Sequence, residues 1–415
     1  MISQSEYRAL GGRTSLAPAL GLGLVLALGL AVGAKADPVG VGVAAGPVRV
    51  YPAIEVEFLY HSNYLRSDAS LLPDMATWEN VVAPSLRLSA LKGTDVYNLS
   101  YLARIGTISD NTDYNYVDQG VNADASWEFG SSHRLRADYE YLNWTDRPGS
   151  GDPSLTSRSN FFYKHPDRWE SNRAQLGYSF GSPGAKGRLD LTAAGAARHY
   201  LNNNQETRDN NRGLLDATFF WRIQPRTSLL FGANWQTIDY TNELPGSVTS
   251  DSEEWRLYTG ATWDATAKTT GTVKLGYLAK DFTASEYQDY SSIGWEANLQ
   301  WRPRTYSIFN LVTSRNPFES ATPLSDAVVV SAIGLDWVHY WKSYLRSRLD
   351  LLGTNDEYLG EDRVDHRYQV GAGVFFQPKR WAELGLQYRY ETRTSDIPLA
   401  EYIDNVLMLT LDARY

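Results

Sequence analysis

The last nine residues of the chain alternate between two kinds of side chain. Positions 407, 409, 411, 413 and 415 are Leu, Leu, Leu, Ala and Tyr, and the charged residues Asp412 and Arg414 stand between the last three. Successive side chains of a β-strand point to opposite faces, so one face of this strand is apolar and ends in an aromatic residue. Such a strand suits a position between lipid and a wet lumen. The segment therefore predicts an outer-membrane β-barrel.

The N-terminus has the features of a secretory signal peptide. Arg8 and Arg13 form a basic start, residues 20–32 are a run of Leu, Gly, Val and Ala, and Ala34-Lys35-Ala36 fits a cleavage site. The apolar run is short and rich in Gly for a membrane anchor. We therefore expect a signal peptide at 1–36, a periplasmic segment at 37–50 and a transmembrane barrel at 51–415.

The charge and the residue usage exclude several classes of protein. The chain carries 39 Lys and Arg against 48 Asp and Glu, and no basic residues cluster into a stripe. This composition argues against nucleic-acid binding. The absence of Cys excludes disulfides and thiolate metal sites. The 27 Tyr and 13 Trp are typical of a chain with two membrane interfaces.

Turn signals recur along the chain and set the number of strands. They fall near Gly93, Ser131, Gly184, Pro225, Thr266, Pro303, Trp341 and Pro378. Each interval holds two alternating segments, long enough to cross a membrane at a tilt, with a polar loop between them. A propeller blade would need four short strands in the same length. The rhythm predicts an all-β, antiparallel up-and-down barrel of about 18 strands, with 16 as the alternative. The short turns and both termini would be periplasmic, the first strand near 53–60 and the last at about 405–415.

Three strands carry charged rows opposite apolar rows. The charged residues are Arg134, Arg136, Asp138 and Glu140, then Arg346, Arg348 and Asp350, then Glu383, Arg389 and Glu391. Arg or Lys facing the middle of the bilayer would cost about 2–4 kcal/mol, so these rows should line the pore. The mixed signs have two interpretations. Neighbouring charges can pair and hold the wall, or they can set up a transverse field that selects polar solutes.

The aromatic residues suggest a girdle at each membrane interface. The expected periplasmic girdle comprises Trp127, Trp221, Trp263, Trp301, Trp337, Trp341 and Trp381, and the expected outer girdle Trp144, Trp169, Tyr200, Tyr240 and Tyr390.

The segments at the other ends of the strands would be extracellular loops. The loop at 145–167 is the longest, and it either folds into the barrel as a constriction or caps the outside. Two further loops are expected at 315–324 and 354–362, and the second carries Asp356, Glu357, Glu361 and Asp362. These four acids are either solvated charges or a bridge through divalent cations to lipopolysaccharide.

No pattern of catalytic or metal-binding residues stands out. The six His are scattered, and none forms a spaced metal-ligand pair, so we interpret them as ordinary surface or interface residues. No nucleophile elbow or Gly-rich phosphate loop is present. We expect no cofactor, no metal and no enzymatic activity.

The start of the barrel carries a family resemblance. Ser62-Asn63-Tyr64 ends the first strand, and Pro84-Ser85-Leu86 lies on the next. These steps resemble outer-membrane barrels of the putative β-barrel porin 2 type, which are often encoded in exopolysaccharide or capsule gene clusters. Members usually carry Asp before the Ser-Asn pair, whereas this chain has His61. The resemblance implies a role in moving or anchoring a surface polysaccharide.

The leading hypothesis is a non-enzymatic outer-membrane channel for export or surface assembly of an exopolysaccharide. A general porin for small hydrophilic solutes and a non-conducting surface-attachment barrel are the alternatives, and an outer-membrane enzyme is the third class. Expected partners are outer-membrane lipid and lipopolysaccharide, the barrel-assembly machinery, and a surface polysaccharide with its periplasmic export proteins. The resemblance implies that Leu407, Leu409, Leu411 and Tyr415 form the insertion signal.

Overall fold

A computed structural model describes residues 42–68, 74–146, 165–182, 184–242, 248–266, 268–320, 327–397 and 400–415. The predicted signal peptide and residues 147–164 of the longest loop lie outside the described residues, so both interpretations remain predictions. Within the described ranges the chain is almost entirely β-strand. No helix in those ranges is long and apolar enough to span a membrane.

The strands are β1 (Val43–Ala45), β2 (Val48–His61), β3 (Thr77–Lys92), β4 (Asp95–Ile108), β5 (Tyr116–Phe129), β6 (His133–Asp146), β7 (Asp167–Phe180), β8 (Gly187–Tyr200), β9 (Asn210–Gln224), β10 (Thr227–Tyr240), β11 (Ser252–Thr266), β12 (Thr269–Phe282), β13 (Tyr290–Arg304), β14 (Ser307–Glu319), β15 (Ala327–Lys342), β16 (Leu345–Tyr358), β17 (Arg363–Lys379), β18 (Ala382–Ser395) and β19 (Tyr402–Arg414). The short β1 pairs with the start of β2, so part of the segment expected at 37–50 is a hairpin.

Strands β2 to β19 form a closed antiparallel barrel, which confirms the prediction of 18 strands. Each strand pairs with its neighbours in sequence, and β19 pairs with β2. In that last ladder Leu411 lies opposite Val56 and Ala413 lies opposite Ile54. Closure removes the sheet edges, whose free backbone groups could not persist in lipid.

The prolines at the short turns occupy two different positions. Pro225 lies between β9 and β10, as expected for a turn residue. Pro303 and Pro378 instead lie just before the ends of β13 and β17, where the ladders to the next strands are irregular. Proline lacks a backbone N–H, so it fits a bulge without breaking a ladder hydrogen bond.

The apolar row of the last strand lies on the outer surface of the barrel. Leu407, Leu409 and Leu411 are 42%, 48% and 40% exposed, and Tyr415 is 63% exposed. Among the Trp residues expected at the periplasmic interface, Trp221, Trp301, Trp341 and Trp381 are likewise exposed. Their exposure follows from the alternation that the sequence shows.

Four of the five residues expected in the outer girdle were assigned to the wrong face, and Tyr390 is the exception, since it lies opposite the exposed Val370. Trp144, Trp169 and Tyr200 are buried inside the barrel, and Tyr240 also belongs to an inward-facing row. We call the long-loop ends of the strands the extracellular ends, following the expected orientation. The outward rows near these ends instead carry Tyr60 against Trp78 and Trp235 against Trp255. Proximity to a strand end identified the wrong aromatics, because the parity of a position along the strand decides which face it joins.

The hairpin β14–β15 bends inward at its extracellular end. The β13–β14 ladder begins with Arg304 opposite Ser307 and, after a register shift, continues from Trp301 opposite Phe309 only as far as Trp295 opposite Arg315. Beyond it, residues 316–319 of β14 and 327–330 of β15 are buried on both faces. We call these two segments the hairpin tip. The loops expected at 315–324 and 354–362 were therefore placed too early, since β14 continues to Glu319 and β16 to Tyr358.

Candidate functional site

The lumen is the candidate functional site, and the charged rows face it. All ten charged residues singled out from the sequence lie on the inward rows of β6, β16 and β18, opposite outward residues such as Tyr139, Leu349 and Leu386. Their role in lining a conducting pore stays a prediction.

Most of these charges are paired, either within one strand or across neighbouring or next-nearest strands. Arg346 Nη2 lies 2.6 Å from Glu383 Oε1, and Arg389 Nε lies 2.6 Å from Glu391 Oε1. Arg134 lies 3.1 Å from Glu128, and Arg348 contacts Asp336.

The remaining acids of these rows also have polar or basic neighbours. Asp138 accepts a hydrogen bond from Asn122, and Asp350 accepts one from Gln369. Glu140 faces Arg173 across the strand pair. The pairing favours the interpretation in which opposite charges hold the wall.

Neutral polar side chains continue the inner surface between these pairs. On one side of the barrel Arg87 donates to Asn98 at 3.1 Å, and Asn98 donates to Asp124 at 2.7 Å. On the other side Gln300 donates to Asn310 at 3.0 Å, and Asn310 donates to Asp336 at 3.0 Å. These chains of donors and acceptors give the lumen a hydrogen-bonding surface with little unpaired charge.

The extracellular half of the lumen is packed with buried ionic side chains where β19 meets β2. Glu57, His61, Glu79, Arg104, Tyr116 and Asp404 form this group, which we call the seam cluster. His61 Nδ1 lies 2.9 Å from Asp404 Oδ2, and its Nε2 lies 3.3 Å from Glu79 Oε2. Arg104 lies 3.3 Å from Glu57 and also contacts Tyr116, whose hydroxyl donates to Glu79 at 2.5 Å.

His61 was expected to be an ordinary surface or interface histidine, and that interpretation was wrong. It is 5% exposed and lies between two carboxylates. One signal for it lies in the resemblance, which implies Asp at the position where this chain has His61. Its partners Glu79 and Asp404 are too distant along the chain to be identified from spacing.

The segment after β2 folds across this cluster. The backbone N–H of Asn63 donates to Asp404 at 3.0 Å, and Arg66 lies 2.7 Å from Glu391. Tyr64 is buried beside them, and burial together with the nearby carboxylate of Glu79 raises the pKa of its hydroxyl. The segment 62–68 therefore closes part of the extracellular mouth with fixed, protonated or paired groups.

The hairpin tip fills the mouth from another side. Glu319 Oε1 lies 2.6 Å from Lys280 Nζ on β12, and Tyr240 on β10 donates to the other carboxylate oxygen at 2.7 Å. Lys280 also lies 3.3 Å from Glu254, and Arg256 donates to Asn316 at 2.7 Å. We call the contact of Glu319 with Lys280 and Tyr240 the latch, because it ties the tip to the inner side of the nearby wall strands β12 and β10.

The aromatic residues that were expected in lipid complete the packing. Trp144, Trp169 and Tyr200 form a buried cluster with Ala83, Leu102 and Leu142. Trp169 Nε1 donates to Asp146 at 2.7 Å, so its polar atom is satisfied inside the barrel. The lumen thus has a polar, partly open periplasmic half and a filled extracellular half.

Within the described ranges no group of three or more His, Asp or Glu side chains is placed to hold a metal ion. The two acids Asp356 and Glu357, expected on one outer loop, lie instead on opposite faces of β16. Asp356 pairs with Arg367 at 2.8 Å, and Glu357 pairs with Arg315 at 2.8 Å. What the arrangement offers chemically is hydrogen bonding to solutes and a closed outer mouth.

Comparison with known proteins agrees with this architecture. The family Putative beta-barrel porin 2 matches residues 37–415. Among the curated proteins none matches the chain.

Several solved structures are similar in fold. They include the ferric enterobactin receptor PfeA of Pseudomonas aeruginosa (9% identity, 88% of this chain and 80% of that one, TM-score 0.45). They also include the FrpB iron transporter of Neisseria meningitidis (10%, 90% and 83%, TM-score 0.48) and OpdL of Pseudomonas aeruginosa (12%, 88% and 99%, TM-score 0.47). These scores lie below 0.5, so the assignment rests on the family match.

Proposed function

The chain belongs to the putative β-barrel porin 2 family, and from this premise we propose that it is a gated outer-membrane channel for an exopolysaccharide. Porin-type barrel families are generally non-enzymatic, and transport here would be passive at the barrel itself. The driving force would come from periplasmic and inner-membrane export proteins, because the sequence has no nucleotide-binding motif.

The polar belt of the lumen is the observation that carries the proposal. Opposite charges pair with one another, as in Arg346 with Glu383, and the amides of Asn98 and Asn310 relay hydrogen bonds between strands. A wall of this kind offers donors and acceptors without a strong field of one sign. It suits a neutral, hydroxyl-rich chain better than an ion, because pore selectivity depends on the groups that line the pore.

The filled extracellular half requires a gate for any transport. The hairpin tip is the element that can leave the mouth as a unit, because its described residues form no ladder with β13 beyond Trp295 opposite Arg315. The wall strands beside the tip would keep their own ladders when the tip withdraws, since β10, β11, β12 and β13 pair continuously. We therefore assign the closed state to this arrangement.

The chain has no Cys, so a cross-link can test the gate cleanly. Arg256→Cys with Asn316→Cys would be joined by a cleavable bis-thiol reagent, which ties the tip to β11. Vesicles containing the protein should take up neutral maltooligosaccharides before cross-linking and after cleavage, and several-fold less while the link is intact.

The matched control is Lys274→Cys with Glu296→Cys. These residues form a pair on adjacent wall strands at 3.1 Å, so their cross-link leaves the tip free and should leave uptake unchanged. Uptake limited to short saccharides would indicate a general porin instead. Absence of any flux with the tip free, as with Glu319→Gln, would indicate a surface-attachment barrel and overturn the proposal.

A further inference from the structure

The barrel wall has a seam where two neighbouring strands separate. Residues 290–293 of β13 continue the ladder to β12, with Tyr290 opposite Lys280 and Ile293 opposite Tyr277. The ladder on the other edge of β13 ends at Trp295 opposite Arg315. Among the described residues, 290–293 thus have no ladder partner on β14, because the hairpin tip bends away into the lumen.

The height of this seam places it within the membrane. Trp301 is an exposed aromatic near the periplasmic end of β13, and Trp295 lies six residues above it. Six steps of about 3.4 Å at a tilt of about 40° rise about 16 Å. The apolar band of such a barrel is about 25 Å tall, so the seam opens in roughly its top third, at the outer leaflet.

The sequence favours separation of β13 and β14 at the seam over continuation of their ladder. If the β13–β14 register continued, Pro317 would lie opposite Ile293. Proline cannot donate to a ladder, and in sheets it is confined to edges and bulges. Pro317 therefore suits a strand whose tip is an edge, as it is here.

The two rims of the seam differ in polarity. On the outside Ile293 is 64% exposed toward lipid. The β14 rim is polar instead. Arg315 lies on the row of β14 whose lower residues face lipid, and it donates to the hydroxyl of Tyr290 at 3.2 Å and to Glu357 at 2.8 Å. An apolar β13 rim beside a donor-rich β14 rim matches a lipid whose acyl chain lies against Ile293 and whose acceptor-rich headgroup reaches Arg315.

Unpaired backbone groups in lipid are costly, so a polar ligand at this position would stabilise the seam. We propose that the β13–β14 seam is a lateral opening that binds an outer-leaflet lipid, with the phosphate of its headgroup at Arg315, Tyr290 and the free edge of β13. This lipid site is separate from the solute path of the proposed channel.

Spin labels can test the site in vesicles of phosphatidylethanolamine and phosphatidylglycerol. Ser292 faces inward at the seam, and Asn234 faces inward in the same row of the sheet, through Leu278 and Arg256. Single variants Ser292→Cys and Asn234→Cys would carry a nitroxide. For each label, the accessibility to lipid-soluble oxygen is divided by the accessibility to a water-soluble nickel chelate. This ratio should be several-fold higher for the label at 292 than for the label at 234. Equal ratios at the two positions would overturn the proposal.

A second variant tests whether Pro317 keeps β14 from pairing with β13 at the seam. Pro317→Val restores a backbone N–H and lets β14 pair with β13, so the oxygen accessibility at 292 should fall several-fold. Pro84→Val, on a different ladder, should leave it unchanged. If oxygen accessibility at 292 stays high in Pro317→Val, the seam is not set by this proline and the proposal fails.

These results are independent of the channel assignment, because saccharide flux is measured separately. Vesicles with and without added lipopolysaccharide distinguish the lipid source. Loss of the oxygen signal at 292 when lipopolysaccharide is present would mean that its headgroup fills the seam in place of phospholipid. An unchanged signal would assign the site to phospholipid.

Discussion

Glu319 shows how a local bend changes the environment of one side chain. It lies on the row of β14 that faces lipid lower in the barrel, yet its carboxylate is buried against Lys280 and Tyr240. A buried pair that loses one partner leaves an uncompensated charge, at a cost of about 3–5 kcal/mol. Glu254 remains beside Lys280 and would offset part of that cost.

Glu319→Gln should therefore release the tip and raise the open probability of the channel roughly tenfold, since about 1.4 kcal/mol corresponds to a factor of ten. Single-channel recording in planar bilayers measures the open probability. Glu383→Gln is the matched control, because it removes an equally short ion pair that does not hold the tip. Equal effects of the two variants would show that Glu319 is not a latch.

Substitutions of His61 test the contribution of the seam cluster to stability. His61→Asp installs the residue that the resemblance implies for this position and places a third carboxylate between Glu79 and Asp404. Like charges at this distance repel, and we expect a loss of stability on the order of 3 kcal/mol. The temperature at which the barrel loses its compact mobility in SDS gels should fall. His61→Asn, which adds no charge, should cost clearly less, and the reverse order would refute this account.

The two rows of side chains on the terminal strand β19 have different roles. Its outward row, with Leu407, Leu409 and Leu411, faces lipid, and its inward row carries Asp404 into the seam cluster. The outward row ends in Tyr415, whose backbone N–H donates to Pro52 at 3.1 Å. The role of this row as an insertion signal remains a prediction.

Deletion of Tyr415 should lower the amount of barrel in outer-membrane fractions several-fold, because the strand loses its final aromatic. The protein that does insert should conduct normally, since Tyr415 lies outside the lumen. Tyr415→Phe keeps the aromatic ring and should restore the level. Normal levels of the deletion variant would show that the aromatic terminus is not required.

Sequence periodicity predicted what depends on parity along a strand. It gave the number of strands, the closure of β19 on β2 and the inward direction of rows such as Arg346 and Arg348. It missed the inward aromatics Trp144 and Trp169, because interface position was inferred from distance to a strand end. It also missed the hairpin tip, since a bend of a strand and a contact such as Glu319 with Lys280 leave no periodic signature.

As a whole molecule the barrel is acidic, but its lumen is nearly balanced in charge. The formal net charge of the chain is −9. Inside, carboxylates pair with basic groups at short range, as in Arg367 with Asp356 and Arg363 with Asp365. Fixed charges that neutralise each other within a few ångströms produce little field at the pore axis.

The open channel should therefore select weakly between K⁺ and Cl⁻. Under a tenfold KCl gradient a perfectly selective pore would show a reversal potential of about 59 mV. Glu319→Gln, held open, should give only a small fraction of that value. A value close to the limit would mean that unpaired charges line the pore, in favour of the transverse-field interpretation.

The seam cluster has a consequence for how the chain assembles. The other wall ladders join strands that are neighbours in sequence, but His61 and Asp404 are 343 residues apart. Closing a loop costs entropy that grows with the logarithm of its length, and β-hairpins added one after another keep each earlier closure short. The β19–β2 ladder is then the last to close, and among the described wall ladders it alone requires both ends of the barrel. A chain cut short before β19 would leave His61 and Arg66 without Asp404, the acid that both contact, so the complete cluster forms only after β19 has joined the barrel.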